Sequence, residues 1–141
     1  MSTNLRARII DLYAAYAKGQ TDFVLNSIDD DVDFVSYAPT DIFPYLGHHR
    51  GKAAFTEVMR TVHATFEFLT YKPVFLAVEG NDAAAAMISM KLRQRSTGRV
   101  ISMFVAQFVR FRDGRICELR EFMDTFDAVE QVLGHEIDTR P

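Results

Sequence analysis

The groups in this sequence able to move a proton near neutral pH are carboxylates, imidazoles and phenols, and a few of them fall in informative places. Glu121 lies in the stretch Arg115–Asp124, where alternation puts it on one strand face with Cys117, Leu119 and Met123. Ile116, Glu118, Arg120 and Phe122 take the other face. In the preceding stretch Gln107 shares a face with Met103, Val105 and Val109. A carboxyl group that loses its water among apolar side chains resists ionisation, and can then give or take a proton near neutral pH. A carboxamide on the neighbouring strand could orient it, or orient a bound carbonyl. The bland reading of Glu121 is a rim position with a salt bridge or hydrogen bond to Arg120, Arg50 or a helix end.

Other groups offer less. His48 and His49 are adjacent, so on an extended chain they point apart, and His49 is the one expected inward, where it could pair with Glu121 or Asp41. No His-x-His or His-x-x-x-His spacing occurs, and no metal site is expected. His63 reads as a packing residue and His135 as an exposed one. The hydroxyls of Tyr13, Tyr16, Tyr37 and Tyr45 could donate to a ligand while their rings pack against it; core packing explains each of them as well. Cys117 is the single cysteine, which rules out an intrachain disulfide and a multi-cysteine zinc site. No glycine-rich phosphate loop follows a strand, so neither a nucleotide nor any other cofactor is expected.

The elements that must position these groups change period once. Leu5, Ile9, Leu12, Tyr13 and Tyr16 share a helical face between Leu5 and Lys18, with Thr3 or Asn4 as the cap and Gly19 as the stop. A short helix is predicted over Asp22–Ile28, burying Phe23 and Ile28, then a strand over Val32–Tyr37 and a loop over Ala38–Arg50. Phe55, Val58, Met59, Val62 and Phe66 mark a third helix from Lys52 to Phe66. After Thr70 the pattern is β: Val74, Leu76 and Val78 alternate with Phe75, Ala77 and Glu79, then come Ala83–Arg95, Arg99–Arg112 and Arg115–Asp124. Asp113-Gly114 is the turn of a tight hairpin. Asp124 or Thr125 caps a last helix through Leu133, ahead of a loose tail.

Helices followed by a meander of long strands make an α+β domain whose sheet can curl around the helices. At 141 residues, 48% hydrophobic and 25% charged, the chain has the size and composition of one domain with its own core. A net charge of −3 argues against a non-specific nucleic-acid binder; Lys91, Arg93, Arg95 and Arg99 read as a solvated hairpin end. There is no apolar run of about 20 residues and no signal peptide, so the expected place is the cytoplasm, with no membrane partner. Val100–Phe111 is apolar on both faces, with Phe104, Ala106 and Phe108 opposite Met103, Val105 and Val109. Since an antiparallel sheet normally keeps one wet face, a homodimer through Phe104, Phe108 and Phe122 is expected.

Four segments carry a resemblance: Asp29-Asp30-Asp31-Val32, Pro44-Tyr45-Leu46-Gly47-His48-His49-Arg50-Gly51, Phe108 through Ile116, and Arg120-Glu121-Phe122-Met123-Asp124. By their order and spacing the chain, from about Leu5 to Leu133, resembles the SnoaL-like, ketosteroid-isomerase-related group of the nuclear-transport-factor-2-like superfamily. The resemblance implies a cone-shaped α+β barrel, dimeric, open at one end to a small apolar molecule. The ketosteroid isomerases use a carboxylate base, a tyrosine and a protonated aspartate. Those positions fall here on Ser36 or Tyr37, on Leu12 and on Gln107, so that set is not retained. The limonene-type epoxide hydrolases use an arginine and two aspartates, which fall on Ile88, Met90 and Glu121; only a carboxylate remains. Leu92, Met103, Val105 and Met123 fall on their pocket positions. The resemblance thus points Glu121 inward among Ile88, Met90 and Met103, with Tyr16, Tyr37 and Leu12 as further lining.

Three functions compete. In the first, Glu121 moves the proton, helped by Gln107, a tyrosine hydroxyl or His49, in isomerisation, cyclisation, hydration or dehydration of a small apolar cyclic or carbonyl compound. In the second the same cavity only binds such a molecule; in the third it is filled, and the sheet surface of a dimer is what matters. A cavity of about 300 Å³ or more with Glu121 and Gln107 converging separates the first two from the third.

Overall fold

The computed structural model describes residues 4–141, so Thr3 lies outside the described residues. Helix α1 spans Leu5–Ala17, and the Asn4 side chain accepts from the N–H groups of Arg6 and Ala7. Leu5, Ile9 and Tyr13, one helical turn apart, are buried. Helix α2 is shorter than the spacing predicts, Thr21–Leu25. It buries Val24 and leaves Phe23 exposed, while Ile28 is buried as the first residue of strand β1, Ile28–Ser36. Strand β2, His48–Arg50, forms inside the expected loop by pairing with β1. Helix α3 covers Lys52–Thr65 and carries Phe55, Val58 and Met59 into the core.

Strand β3 is Phe66–Glu79, starting before Thr70 because Phe66 and Phe68 pair with Gln94 and Leu92 of strand β4, Ala83–Gln94. Strand β5, Val100–Arg112, and strand β6, Arg115–Met123, follow, and helix α4, Thr125–Leu133, starts on an Asp124 cap. The sheet order is β2-β1-β6-β5-β4-β3, with only the β1–β6 pair parallel. This curved mixed sheet wraps the three N-terminal helices, and α4 closes against one end of it. There β5 runs past the end of β6, and the Gln131 carboxamide takes over the ladder by bonding both the N–H and the C=O of Ser102. No helix among the described residues is long and apolar enough to cross a membrane.

Two faces of the sheet differ. Inside, Ala84, Ala86, Ile88, Leu92, Val105, Val109 and Leu119 are buried. Ala84 and Ala86 belong to the same core cluster as Ile9 and Tyr13, and their small side chains leave room for α1. Outside, pairing lines up Phe75, Met87, Ala106 and Phe122 across four strands, with Phe108 next to Ala85 and Arg120. Phe75 and Phe104 are 61% and 60% exposed.

Bulges reset the alternation. The β5–β6 register shifts between Arg110 and Phe111, so Ile116 pairs with Phe111 and turns inward. Cys117 therefore does not share the inner face with Leu119; its thiol reaches Arg110 O. In β3, shifts after Phe68 and after Pro73 bring Tyr71 inward and leave Val74 exposed.

Candidate active site

Between the sheet and α1 and α3 lies a cavity of about 160 Å³. Roughly 150 Å³ of apolar space holds one benzene ring. The hollow falls short of the roughly 300 Å³ that would by volume set a catalytic or binding cavity apart from a filled one, while the other half of that criterion is met: Glu121 and Gln107 both face it and lie 3.3 Å apart. Leu12, Tyr13 and Tyr16 of α1, Tyr71 of β3, Met90 and Leu92 of β4, Met103 and Gln107 of β5, and Glu121 and Met123 of β6 all line it. Phe43, Tyr45 and Leu46 add a wall from the loop before β2, and Val132 adds one from α4.

Its polar groups converge because the sheet register aligns them. Ser36, Glu121, Gln107 and Ala86 are successive cross-strand partners on the inner face. Gln107 Nε2 donates to Glu121 Oε1 at 3.3 Å and to the Tyr71 hydroxyl at 3.4 Å. Tyr13 donates to Gln107 Oε1 at 2.7 Å. The tyrosine rings support one another: Tyr16 lies 5.1 Å from Tyr71, and Tyr13 lies 5.9 Å from it. Among the described residues, the Tyr16 hydroxyl has no hydrogen-bond partner, and the Tyr71 hydroxyl accepts from Gln107 with its own proton still free.

Burial pushes the Glu121 carboxyl above the ordinary carboxylate range, while Ser36 and Gln107 draw it partly back. The Ser36 hydroxyl is near enough to exert that pull, yet it is buried without a hydrogen bond of good geometry. Burial also raises the phenols of Tyr13, Tyr16 and Tyr71, and the Glu121 charge adds to the effect on each. Tyr45 is pushed up to about 12 by burial. The phenols therefore stay protonated and act as donors, and the carboxyl, held above its ordinary range, is the group among them with a proton to exchange.

Four residues differ from the expectation. His49 does not line the cavity: it pairs with Phe34, which stands between it and the hollow, and its Nε2 meets Leu46 O at 3.0 Å. Tyr37 is 50% exposed and stacks on Phe122 at 4.4 Å on the outer face, since it follows the inward Ser36. Ile88 and Val105 are packed below the cavity surface as a cross-strand pair, between the row of Glu121 and the row of Met90 and Met103. His48 sits outside as well, with Nε2 2.5 Å from Asp33 Oδ1; that contact and Arg120 hold the Asp33 carboxyl below its usual range. Tyr71 and the inward Ile116 are lining that plain alternation misses. Among the described residues, no three His, Cys, Asp or Glu side chains converge as a metal site would require.

The model of the SnoaL-like domain family matches residues 9–119. The chain belongs to the SnoaL-like family. Among solved structures, a candidate isomerase from Rhodopseudomonas palustris is 37% identical, with a TM-score of 0.85 over 96% of this chain and 100% of that one. A nuclear-transport-factor-2-like protein from Burkholderia xenovorans is 20% identical, with a TM-score of 0.76 over 91% and 95% of the two chains. A candidate polyketide cyclase from Xanthomonas campestris is 16% identical, again with a TM-score of 0.76, over 91% and 96%. These last two share the fold of this SnoaL-like chain, which is that of the nuclear-transport-factor-2-like superfamily. No curated protein matches it.

Proposed function

We propose that this SnoaL-like protein is a cofactor-independent enzyme that removes and returns a proton beside the carbonyl of a small, mostly apolar cyclic compound. Glu121 moves the proton. The observation that carries the reading is a buried carboxyl, raised by desolvation, in an apolar hollow where the free protons of Tyr16 and Tyr71 can meet a carbonyl oxygen. Double-bond isomerisation, aldol-type cyclisation and dehydration all begin with this step, and donors on the developing enolate oxygen lower its barrier. The names of the Rhodopseudomonas palustris and Xanthomonas campestris relatives fall within those reaction types. The cavity volume limits the part that is bound to about one ring.

Deuterium exchange tests this without a known substrate. Single-ring ketones and enones that raise the melting temperature are incubated with the protein in D₂O and followed by NMR. Exchange beside the carbonyl well above the buffer rate is expected for at least one binder. Binding with exchange at the buffer rate throughout overturns the enzyme reading and leaves a carrier of apolar metabolites.

The reading includes a second copy of the chain on the outer face of the sheet. The row of Phe75, Met87 and Phe122, with Phe104 and Phe108 beside it, is a large apolar surface, and Ala77 and Ala85 form a trough next to Phe108. A two-fold contact can seat each Phe108 in the partner's trough. Phe108→Asp is expected to convert a dimer in analytical ultracentrifugation into a folded monomer. A wild-type protein that sediments as a monomer at about 100 μM removes the second copy.

A further inference from the structure

The Tyr13 ring lines the cavity, but its hydroxyl is engaged by Gln107 Oε1, at 2.7 Å, unlike the free hydroxyl protons of Tyr16 and Tyr71. That bond has a consequence for Glu121. A carboxamide has one acceptor end and one donor end, and its neighbours decide which way round it sits. Because the Tyr13 proton occupies the oxygen, the nitrogen must face the other way, where Glu121 Oε1 at 3.3 Å and the Tyr71 oxygen at 3.4 Å accept from it. Reversed, the amide would set an acceptor against the Glu121 carboxylate, and the Tyr13 hydroxyl, though able to accept from the turned N–H, would lose the acceptor for its own proton. Gln107 is buried, so water cannot repair either loss.

We propose that Tyr13 is a positioning residue whose hydroxyl locks the Gln107 carboxamide with its N–H aimed at Glu121, and so sets the charge state of that carboxyl through the amide. The inference rests on the proton-transfer reading above, and names the device that tunes its central group. Gln107 engages Oε1, and Oε2 has no hydrogen bond of good geometry among the described residues, so the proton is assigned to Oε2. Ser36 of β1 and Gln107 of β5 act on the carboxyl, and Tyr13 and Tyr16 of α1 and Tyr71 of β3 are near enough to feel its charge. A hydroxyl carries donor and acceptor on one atom, whereas Gln107 carries them on two and must turn over as a whole to exchange them.

Titration of the Glu121 side-chain carboxyl by ¹³C NMR tests the lock, with Glu121→Gln used to assign the signal. In Tyr13→Phe the amide loses its anchor, its N–H no longer holds the carboxylate, and the Glu121 pKa is expected to rise further, by about one unit. Gln107→Leu removes the donor outright and should also raise it. In the double variant, Tyr13→Phe should add nothing to Gln107→Leu, because the hydroxyl acts only through the amide. An unchanged Glu121 pKa in Tyr13→Phe, or an equal further shift when Tyr13→Phe is added to Gln107→Leu, overturns the proposal. The titration needs no turnover. If it gives the expected shifts while no compound shows catalysed exchange, the lock stands and the enzyme reading falls; catalysed exchange without the shifts gives the reverse.

Discussion

Glu121→Gln is expected to lower catalysed exchange and turnover by about 10²–10⁴-fold, the usual range for removing a positioned general acid–base. The amide keeps the volume and planar shape of the acid, and its oxygen can still accept from Gln107 Nε2, so the aligned row from Ser36 to Gln107 is preserved. What it loses is the ability to take a proton. The loss should therefore appear in kcat with KM little changed, since Tyr16, Tyr71 and the methionine walls still hold the ligand. An equal loss in Glu121→Asp would fit the same reading, because withdrawing the carboxyl by one methylene breaks its geometry. Turnover by Glu121→Gln equal to that of the wild type would eliminate the carboxyl as the proton carrier and leave the tyrosines as binders only.

Periodicity and the family resemblance together made much of this site legible. Alternation in β5 and β6 groups Gln107 with Met103 and Glu121 with Met123, the resemblance turns those faces inward, and Gln107 and Glu121 prove to be direct cross-strand partners. Met90 and Leu92 share one face by alternation, and Leu12 and Tyr16 one by helical spacing, but it is the resemblance that assigns them to the lining. Failures arise where the chain departs from strict period. Tyr71 was hidden by the bulge after Phe68, which flips the inward residue from Thr70 to Tyr71, and Ile116 was hidden by the bulge at Cys117. A bulge leaves little trace in composition, because its cause is the curvature of the whole sheet. His49 and Tyr37 fail for another reason. Both flank a loop whose path is set by the β1–β2 pairing, and a three-residue edge strand is too short to announce itself. The polar network needed long-range facts: only coordinates could reveal that a tyrosine on α1 reaches a carboxamide 94 residues later.

The same burial that readies Glu121 for chemistry should cost stability in a defined pH window. The unfolded chain ionises this carboxyl near its ordinary value of 4.5, whereas the folded chain holds it protonated to higher pH. Below 4.5 both states carry the proton, and the fold has its full stability from this group. As pH rises through the elevated folded-state value, the unfolded state is favoured, by about 1.4 kcal/mol for each unit of displacement. Asp33 acts with the opposite sign. Its carboxyl is held below the ordinary 3.8 by His48 and Arg120, so its contribution is present above that value and fades as pH falls through the lower folded-state one. Glu121→Gln isolates the first effect, because its side chain has no charge to bury. The variant and the wild type should melt within a degree or so of each other near pH 4 and diverge as pH rises. Toward pH 8 the variant should be the more stable, by roughly 3–4 °C per kcal/mol for a domain of this size. Melting curves that stay parallel from pH 4 to pH 8 would mean that the carboxyl ionises as easily inside the protein as outside. A catalytic group would then have been bought at no cost to the fold, contrary to the usual exchange of stability for function.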